Sequence, residues 1–268
     1  MIWLNYRGGG APENSSLRGK KAGFTLAEVL ITLGLLGVVI AMTLPTVINN
    51  SKNRELQTQL KKTYSELNQM SQLFYNDYGM SVPEFTAVGN GWQLFVNGIF
   101  QKYFKISNKM DDWRFDDIDP DSGNIYDTMP YRLYSLSKGK ANSICDVSGY
   151  YSDISGRYYL FNDRNASSNE NGPIICVDIN GPKGPNMYGK DFFLFVFTTD
   201  GYVIPMGQEH INNKVVNGNL PTNGVNIGPD FCKVSGNSVY NTTCAYYAIS
   251  DVNPEGNGTY WKDFLKSK

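Results

Sequence analysis

A single carboxylate stands inside an apolar stretch near the amino terminus. Glu28 is the only charged residue between Phe24 and Ser51. A carboxylate within a hydrocarbon layer is costly unless it finds a partner. If the chain were cut between Gly23 and Phe24, the new terminal ammonium would lie one helical turn from Glu28. It could neutralise the carboxylate on the same chain or on a neighbouring one, so these residues suggest an ion pair created by proteolysis.

The apolar stretch around Glu28 has the length of a membrane span. It continues to about Ile48, and roughly 20 apolar residues let a helix cross a hydrocarbon layer of about 30 Å. A secretory signal peptide has a shorter apolar region, of about 7 to 15 residues, that ends at small residues. An uncleaved signal anchor is the other alternative, but it gives no reason for the acidic residue. We therefore expect one membrane-spanning helix.

The residues around the proposed cut resemble the processing site of type IV pilins and pseudopilins. Lys20 and Lys21 precede Gly23, and the sequence FTLAEVLI follows it. In that family a membrane peptidase cuts after the glycine and methylates the new terminal phenylalanine, and the glutamate five residues into the mature chain guides docking into the filament. The resemblance implies that Gly23 and Phe24 are the cut and methylation positions and that Glu28 is the assembly carboxylate.

The same resemblance gives a role to Pro45 and implies partners. Pro45 is the twenty-second residue after the proposed cut, where helices of this family bend or loosen. The implied partners are a prepilin peptidase/methyltransferase, further copies and other pilin-like subunits in a helical filament, and an assembly platform in the inner membrane. The implied location is the inner (cytoplasmic) membrane, crossed once with the head outside the cytoplasm, before assembly into an envelope-spanning or surface filament.

Beyond Pro45 the periodicity predicts an amphipathic helix and then a mostly β head. Apolar residues recur every three or four positions from Leu56 to Tyr78, which is the period of a helix with one apolar stripe. A second helical pattern covers 92–106, and the rest is predicted as strands and turns. Strand patterns lie at 157–161, 174–179 and 191–198, and Asp200-Gly201 favours a hairpin turn into 202–205. We predict an α+β fold in which the long amino-terminal helix packs against an antiparallel sheet, as in type IV pilins.

These patterns divide the chain into four segments. They are a basic leader at 1–23, a transmembrane and assembly helix at 24–48, an amphipathic stalk helix at 49–79 and an α+β head with disulfides at 80–268. The stretch from Cys176 to Phe192 also resembles a head-domain segment of many type II secretion pseudopilin-like proteins.

Four cysteines in the head form an even set without C-x-x-C spacing, and one histidine accompanies them in the chain. Zinc is therefore disfavoured, whereas a head outside the cytoplasm favours disulfides. Three pairings are possible. We favour Cys232 with Cys244, which closes a short loop, and Cys145 with Cys176; buried reduced thiols are the alternative.

An acidic loop at 111–127 is the one candidate metal site. Asp117, Asp119 and Asp121 alternate there and could direct oxygens at a calcium ion, although the spacing of a hand-type loop is not matched. A solvated acidic loop is the simpler interpretation, and we expect no other cofactor.

Composition argues against catalysis and nucleic-acid binding. His210 is the only histidine and lies in a polar segment, so most hydrolase templates are disfavoured. Residues 184–190 have G-x-x-x-x-G-K spacing, but Asp191 stands where a phosphate loop has Ser or Thr, and a strand is expected to follow. The net charge of −1, from 24 basic and 25 acidic residues, gives no overall field for nucleic acid.

We therefore predict a filament subunit and not an enzyme. The leading hypothesis is a pseudopilin of a type II secretion system. The alternatives are a type IV pilus subunit for adhesion, motility or DNA uptake, and a membrane-tethered binding module or minor adhesin that uses a tyrosine-rich head. Aromatic side chains on the outside of the head would favour the adhesin.

Overall fold

The computed structural model describes residues 23–110, 131–141, 143–145, 147–162, 171–208, 232–235 and 241–266. The described backbone forms two compact units, one that ends at Val47 and one that begins at Ile48.

Helix α1 extends over Leu26–Tyr78 and contains Pro45 without interruption. Its amino-terminal part has a mean hydropathy of 2.2 and no buried residues, so it is long and apolar enough to cross a membrane. Within the second unit α1 buries one stripe at the predicted spacing, which includes Leu56, Leu60, Leu67, Met70 and Phe74. The stripe confirms the amphipathic pattern.

A short helical region follows α1. Helix α2 is Val82–Thr86 and begins with a capping box, in which Ser81 and Glu84 satisfy each other's backbone N–H groups. Three helical elements then follow one another without a break: α3 (Gly91–Leu94), a π-helical turn (Phe95–Ile99) and α4 (Phe100–Tyr103). The predicted continuation of this helix to Ile106 was wrong, because Phe104 is extended and Ile106 already pairs with Asp153 in the sheet.

The head contains a six-stranded sheet in which every neighbouring pair is antiparallel, in the order β1-β4-β5-β6-β7-β8. Its strands are β1 Ile106–Met110, β4 Val147–Asp153, β5 Tyr158–Asn162, β6 Asn171–Asp178, β7 Phe192–Thr198 and β8 Val203–Pro205. The predicted turn closes the hairpin from β7 to β8, where Thr198 N donates to Tyr202 O at 2.9 Å. A separate hairpin joins β2 (Leu133–Tyr134) to β3 (Lys140–Ala141).

Both faces of the sheet are covered, as the continuous apolar sequence of β7 indicates. Phe193, Phe195 and Phe197 lie in the same core cluster as the buried stripe of α1 and the helices that follow it. Leu194 and Val196 belong to a second cluster on the opposite face, together with residues of the β2–β3 hairpin. The arrangement is the predicted α+β one, a long helix against an antiparallel sheet as in type IV pilins.

Two carboxyl-terminal helices were not predicted. Helix α5 covers Cys244–Ser250, and a π-helix covers Tyr260–Phe264. They pack on each other and on the helical side of the sheet, and Trp261 Nε1 donates to Ala248 O at 2.8 Å. Our assignment of this region to strands and turns was wrong, because five or seven residues are too few to reveal a helical period and tertiary packing stabilises them.

Candidate processing and assembly site

The proposed cut lies just before the first helix. Gly23 and Phe24 precede Leu26, where α1 begins, and neither is helical. Phe24 is 88% exposed, and a Cβ placed on Gly23 would meet no atom within 4 Å. The peptide bond between the two residues is therefore in an open, non-helical segment.

Thr25 and Glu28 form a reciprocal cap on the first turn of α1. The Glu28 carboxylate accepts from Thr25 N and from Thr25 Oγ1, both at 2.8 Å, and Thr25 Oγ1 accepts from Glu28 N at 3.2 Å. This is a capping box, which satisfies two N–H groups that otherwise have no partner in the helix. We missed it in the sequence, although the T-x-x-E spacing is its recognised signal.

The cap leaves the carboxylate able to take another partner. Both bonds from Thr25 end on Glu28 Oε2, so Oε1 has no hydrogen bond from a described residue. A negative group in the first turn also interacts favourably with the helix dipole. An ammonium can therefore bind Glu28 without displacing the cap.

Pro45 lies within α1 and not at its end. Proline has no N–H, so the carbonyl of Ala41 lacks its usual partner one turn earlier. Close by, Thr43 Oγ1 donates to Val39 O at 2.9 Å. This turn has one backbone hydrogen bond fewer than its neighbours. A bend in α1 would therefore need the least energy here.

The four cysteines form two disulfides, Cys145–Cys176 and Cys232–Cys244, with 31 and 12 residues of sequence separation. These are the two pairings that we favoured. All four residues are buried, and each disulfide belongs to the core on a different face of the sheet. The disulfides therefore fasten the chain on both sides of the sheet.

The loop with phosphate-loop spacing holds a carboxylate of its own. Asp191 is fully buried, and it accepts from Asn186 N at 2.8 Å and from Met187 N at 2.6 Å. These amides are thus already used, and β7 follows where a phosphate site needs a helix. Burial raises the pKa of Asp191 to about 6, although both amides oppose the shift.

Asp191 lies beside a second buried acid, Asp178. Burial raises the pKa of Asp178, and the charge of Asp191 raises it further; hydrogen bonds from Tyr131 OH and Asn180 N oppose this. Neither sequence motif nor spacing pointed to this pair, because β6 and the loop bring the two together only in the fold.

The calcium candidates Asp117, Asp119 and Asp121 lie outside the described residues, as does His210. Within the described part of the chain, no cluster of three or more histidine, cysteine or acidic side chains could hold a metal. Calcium binding by the acidic loop stays a prediction.

The described aromatic residues lie mostly inside the head. The largest fully buried side chains include Tyr151, Tyr159, Tyr188 and Tyr260, and ring contacts link the helical region to the sheet, such as Phe100 to Phe161 at 4.8 Å. An adhesin would be favoured by aromatic side chains on the outside of the head, so this arrangement does not favour an aromatic adhesive surface.

Comparisons with known proteins agree with the amino-terminal motif. Residues 18–44 match the family model described as the prokaryotic N-terminal methylation motif. Searches of curated proteins and of solved structures found no match.

Proposed function

Because residues 18–44 carry the prepilin-type motif of type IV pilins and pseudopilins, we propose that this chain is a structural subunit of a type IV pilus-like filament. In this proposal it is inserted in the membrane as a precursor, cleaved after Gly23 and methylated on the amine of Phe24. The motif match is the observation on which the proposal depends. It favours a structural subunit over an enzyme.

Cleavage acts as the switch for assembly in this proposal. It converts the amide of Phe24 into an ammonium, and methylation keeps that positive charge. The ammonium of one subunit pairs with Glu28 of its neighbour, where Oε1 is available beside the Thr25 cap. A subunit at the wrong axial position would leave a carboxylate unpaired among apolar helices, so the pair sets the register.

The more specific proposal is a pseudopilin of a type II secretion system. It is supported by the resemblance of the stretch from Cys176 to Phe192 to pseudopilin-like heads. A type IV pilus subunit shares all the assembly chemistry and is the second candidate. Neighbouring genes distinguish the two: a secretin without a retraction ATPase favours secretion, and a retraction ATPase favours a pilus.

Mass spectrometry of the mature amino terminus tests the processing step. We expect a chain that begins at Phe24 and carries one added methyl group. Gly23→Val, in which a branched side chain fills the open space at the cut, should accumulate as precursor. An intact Met1 terminus in the wild-type chain, isolated from cells that contain the peptidase, would contradict the proposal.

A Glu28→Val variant tests assembly separately. It should be cleaved and inserted normally but form no filaments, as seen by electron microscopy of the sheared surface fraction. Glu55→Val is the matched control, because Glu55 is an exposed acid on the same helix beyond the apolar stretch; its filaments should be normal. Wild-type amounts of filament from Glu28→Val would show that the ion pair is not needed.

A further inference from the structure

Lys138 and Lys190 lie on segments that are joined by backbone hydrogen bonds. Lys138 is in the turn between β2 and β3, and Lys190 is in the loop before β7. Tyr134 connects the two segments: its N donates to Asn186 O, and its O accepts from Tyr188 N, both at 2.9 Å. The hairpin and the loop are therefore neighbours in the head.

Lys52 reaches the same region from α1. The next residue, Asn53, is buried and donates from Nδ2 to Trp261 O at 2.8 Å. Tyr260, which precedes Trp261, donates from its hydroxyl to Gly189 O in the loop before β7. The segments that contain Lys52, Lys138 and Lys190 are thus distant in sequence but neighbours in the fold.

The three lysines form a cluster that we call the basal lysine patch (Lys52, Lys138 and Lys190). Lys52 and Lys138 are exposed, and Lys190 is partly exposed. Among the described residues, no carboxylate lies within 4.0 Å of their ammonium groups. Burial lowers the pKa of Lys190, Asp191 opposes this, and the positive charges of Lys52 and Lys138 lower it further. The charges of Lys52 and Lys138 thus both act on Lys190.

The position of the patch along the chain identifies its partner. Lys52 comes four residues after Ile48, where the apolar stretch ends, which is about 6 Å along a helix. Charges within about 8 Å of a membrane surface are poorly screened at physiological salt. A lysine close to an anionic bilayer contributes about a fivefold gain in membrane binding. Lipid phosphate is therefore the nearest available anion for a subunit that is inserted in a membrane.

We propose that the basal lysine patch binds the phosphate groups of anionic lipids and holds the head against the bilayer until the subunit enters a filament. The inference depends on the membrane insertion contained in the proposed function. Entry into the filament would have to break these contacts, so the patch retains the subunits that wait in the membrane.

Lysine acetylation of the full-length chain in vesicles tests the patch without changing the protein. A membrane-impermeant acetylating reagent is added to vesicles of phosphatidylglycerol and phosphatidylcholine, or of phosphatidylcholine alone. Mass spectrometry then gives a rate constant for each lysine. We expect about fivefold slower acetylation of the three patch lysines on the anionic vesicles, and loss of this protection at high salt. Exposed Lys61, Lys102 and Lys105 of the same chain should react equally on both vesicles.

Charge-changing variants test whether the three lysines act together. Lys52→Gln with Lys138→Gln should remove the protection of Lys190, whereas arginine at both positions should keep it. Lys61→Gln with Lys102→Gln removes the same charge elsewhere and should leave Lys190 protected. Near-ultraviolet circular dichroism of each variant checks that the head is folded.

Three outcomes would overturn the proposal. The first is equal acetylation of the patch on anionic and neutral vesicles. The second is protection on neutral vesicles by inorganic phosphate, at a concentration that matches the lipid phosphate, which would indicate a site for a free anion. The third is protection by short duplex DNA but not by anionic lipid. The terminal mass spectrum of the chain isolated from cells that contain the peptidase reports processing independently, so a chain that is uncut there but protected on anionic vesicles would contradict the proposed function and leave the patch intact.

Discussion

A buried ion network fastens the stalk portion of α1 to the turn between β4 and β5, and its central residue is Arg157. The Asp153 carboxylate lies 2.7 Å from Nε of the guanidinium, which donates a hydrogen bond to it, and 2.6 Å from one terminal nitrogen. Its other terminal nitrogen lies 3.0 Å from Thr63 Oγ1 and 2.5 Å from Glu66 Oε2, both on α1. The side chain of Arg157 is only 9% exposed. Replacing it with methionine keeps most of the aliphatic volume and removes all four contacts.

We expect Arg157→Met to lower the free energy of unfolding by about 3 to 5 kcal/mol, because removing one partner leaves a buried charge uncompensated. The charge left behind is that of Asp153, which is 4% exposed. For a domain of this size the loss corresponds to roughly 6 to 20 °C in melting temperature. Lys62→Gln is the matched control: Lys62 pairs with the same Glu66, but at 3.9 Å and with 65% of its own side chain exposed. A surface pair of this kind contributes about 0.5 kcal/mol.

Near-ultraviolet circular dichroism during heating of the mature chain in detergent is the suitable assay. Phe24 is the only aromatic residue between Gly23 and Ser51, so the signal reports on the head. The reasoning would be refuted if Arg157→Met melted within about 2 °C of the wild type, or if Lys62→Gln were equally destabilised.

Three further predictions concern the disulfide, the buried acids and the cap. Changing Cys232 and Cys244 to alanine together should lower the unfolding free energy by about 3 kcal/mol in the chain-entropy model; an unchanged urea midpoint would contradict this. Because the folded pKa of Asp191 is raised to about 6, the folded state holds an extra proton between pH 4 and 6, so stability should fall as pH rises through that window. Asp178→Asn removes the second buried acid, whose own pKa is raised by burial and by the charge of Asp191, and should therefore flatten the pH profile, measured as urea midpoints at several pH values. Thr25→Val should speed amide hydrogen exchange in the first turn of α1 by about fivefold, whereas serine should not; equal exchange in the two variants would argue against the cap.

The elements that could be predicted from the sequence are those whose signal is local. The stripe from Leu56 to Phe74 repeats every three or four residues, and β7 is continuously apolar, so both patterns identify their element without knowledge of the rest. The end of the second helix could not be found in this way, because Ile106 fits the helical period but pairs with Asp153. Strand pairing with a distant segment outweighed the local preference there.

The same distinction applies to the sites. The proposed cut site and Glu28 lie within six residues, so their motif can be recognised from the sequence alone. The Arg157 network joins residues up to 94 positions apart, and the basal lysine patch draws on three separate segments. Their members are ordinary polar residues in the sequence, and only the fold gives them a shared environment.

In the proposed function Glu28 has two partners at different times, and its geometry is compatible with both. Before cleavage the carboxylate is held by Thr25 through Oε2 alone, which completes the first turn of α1 and fixes the direction of the side chain. After the proposed cleavage the second oxygen can receive an ammonium with little loss of side-chain entropy, because the rotamer is already set. A residue that only closed the helix could be replaced by glutamine, which also accepts these bonds. The requirement for a full negative charge arises with the ammonium, so Glu28→Gln should keep the first turn ordered and yet fail to assemble.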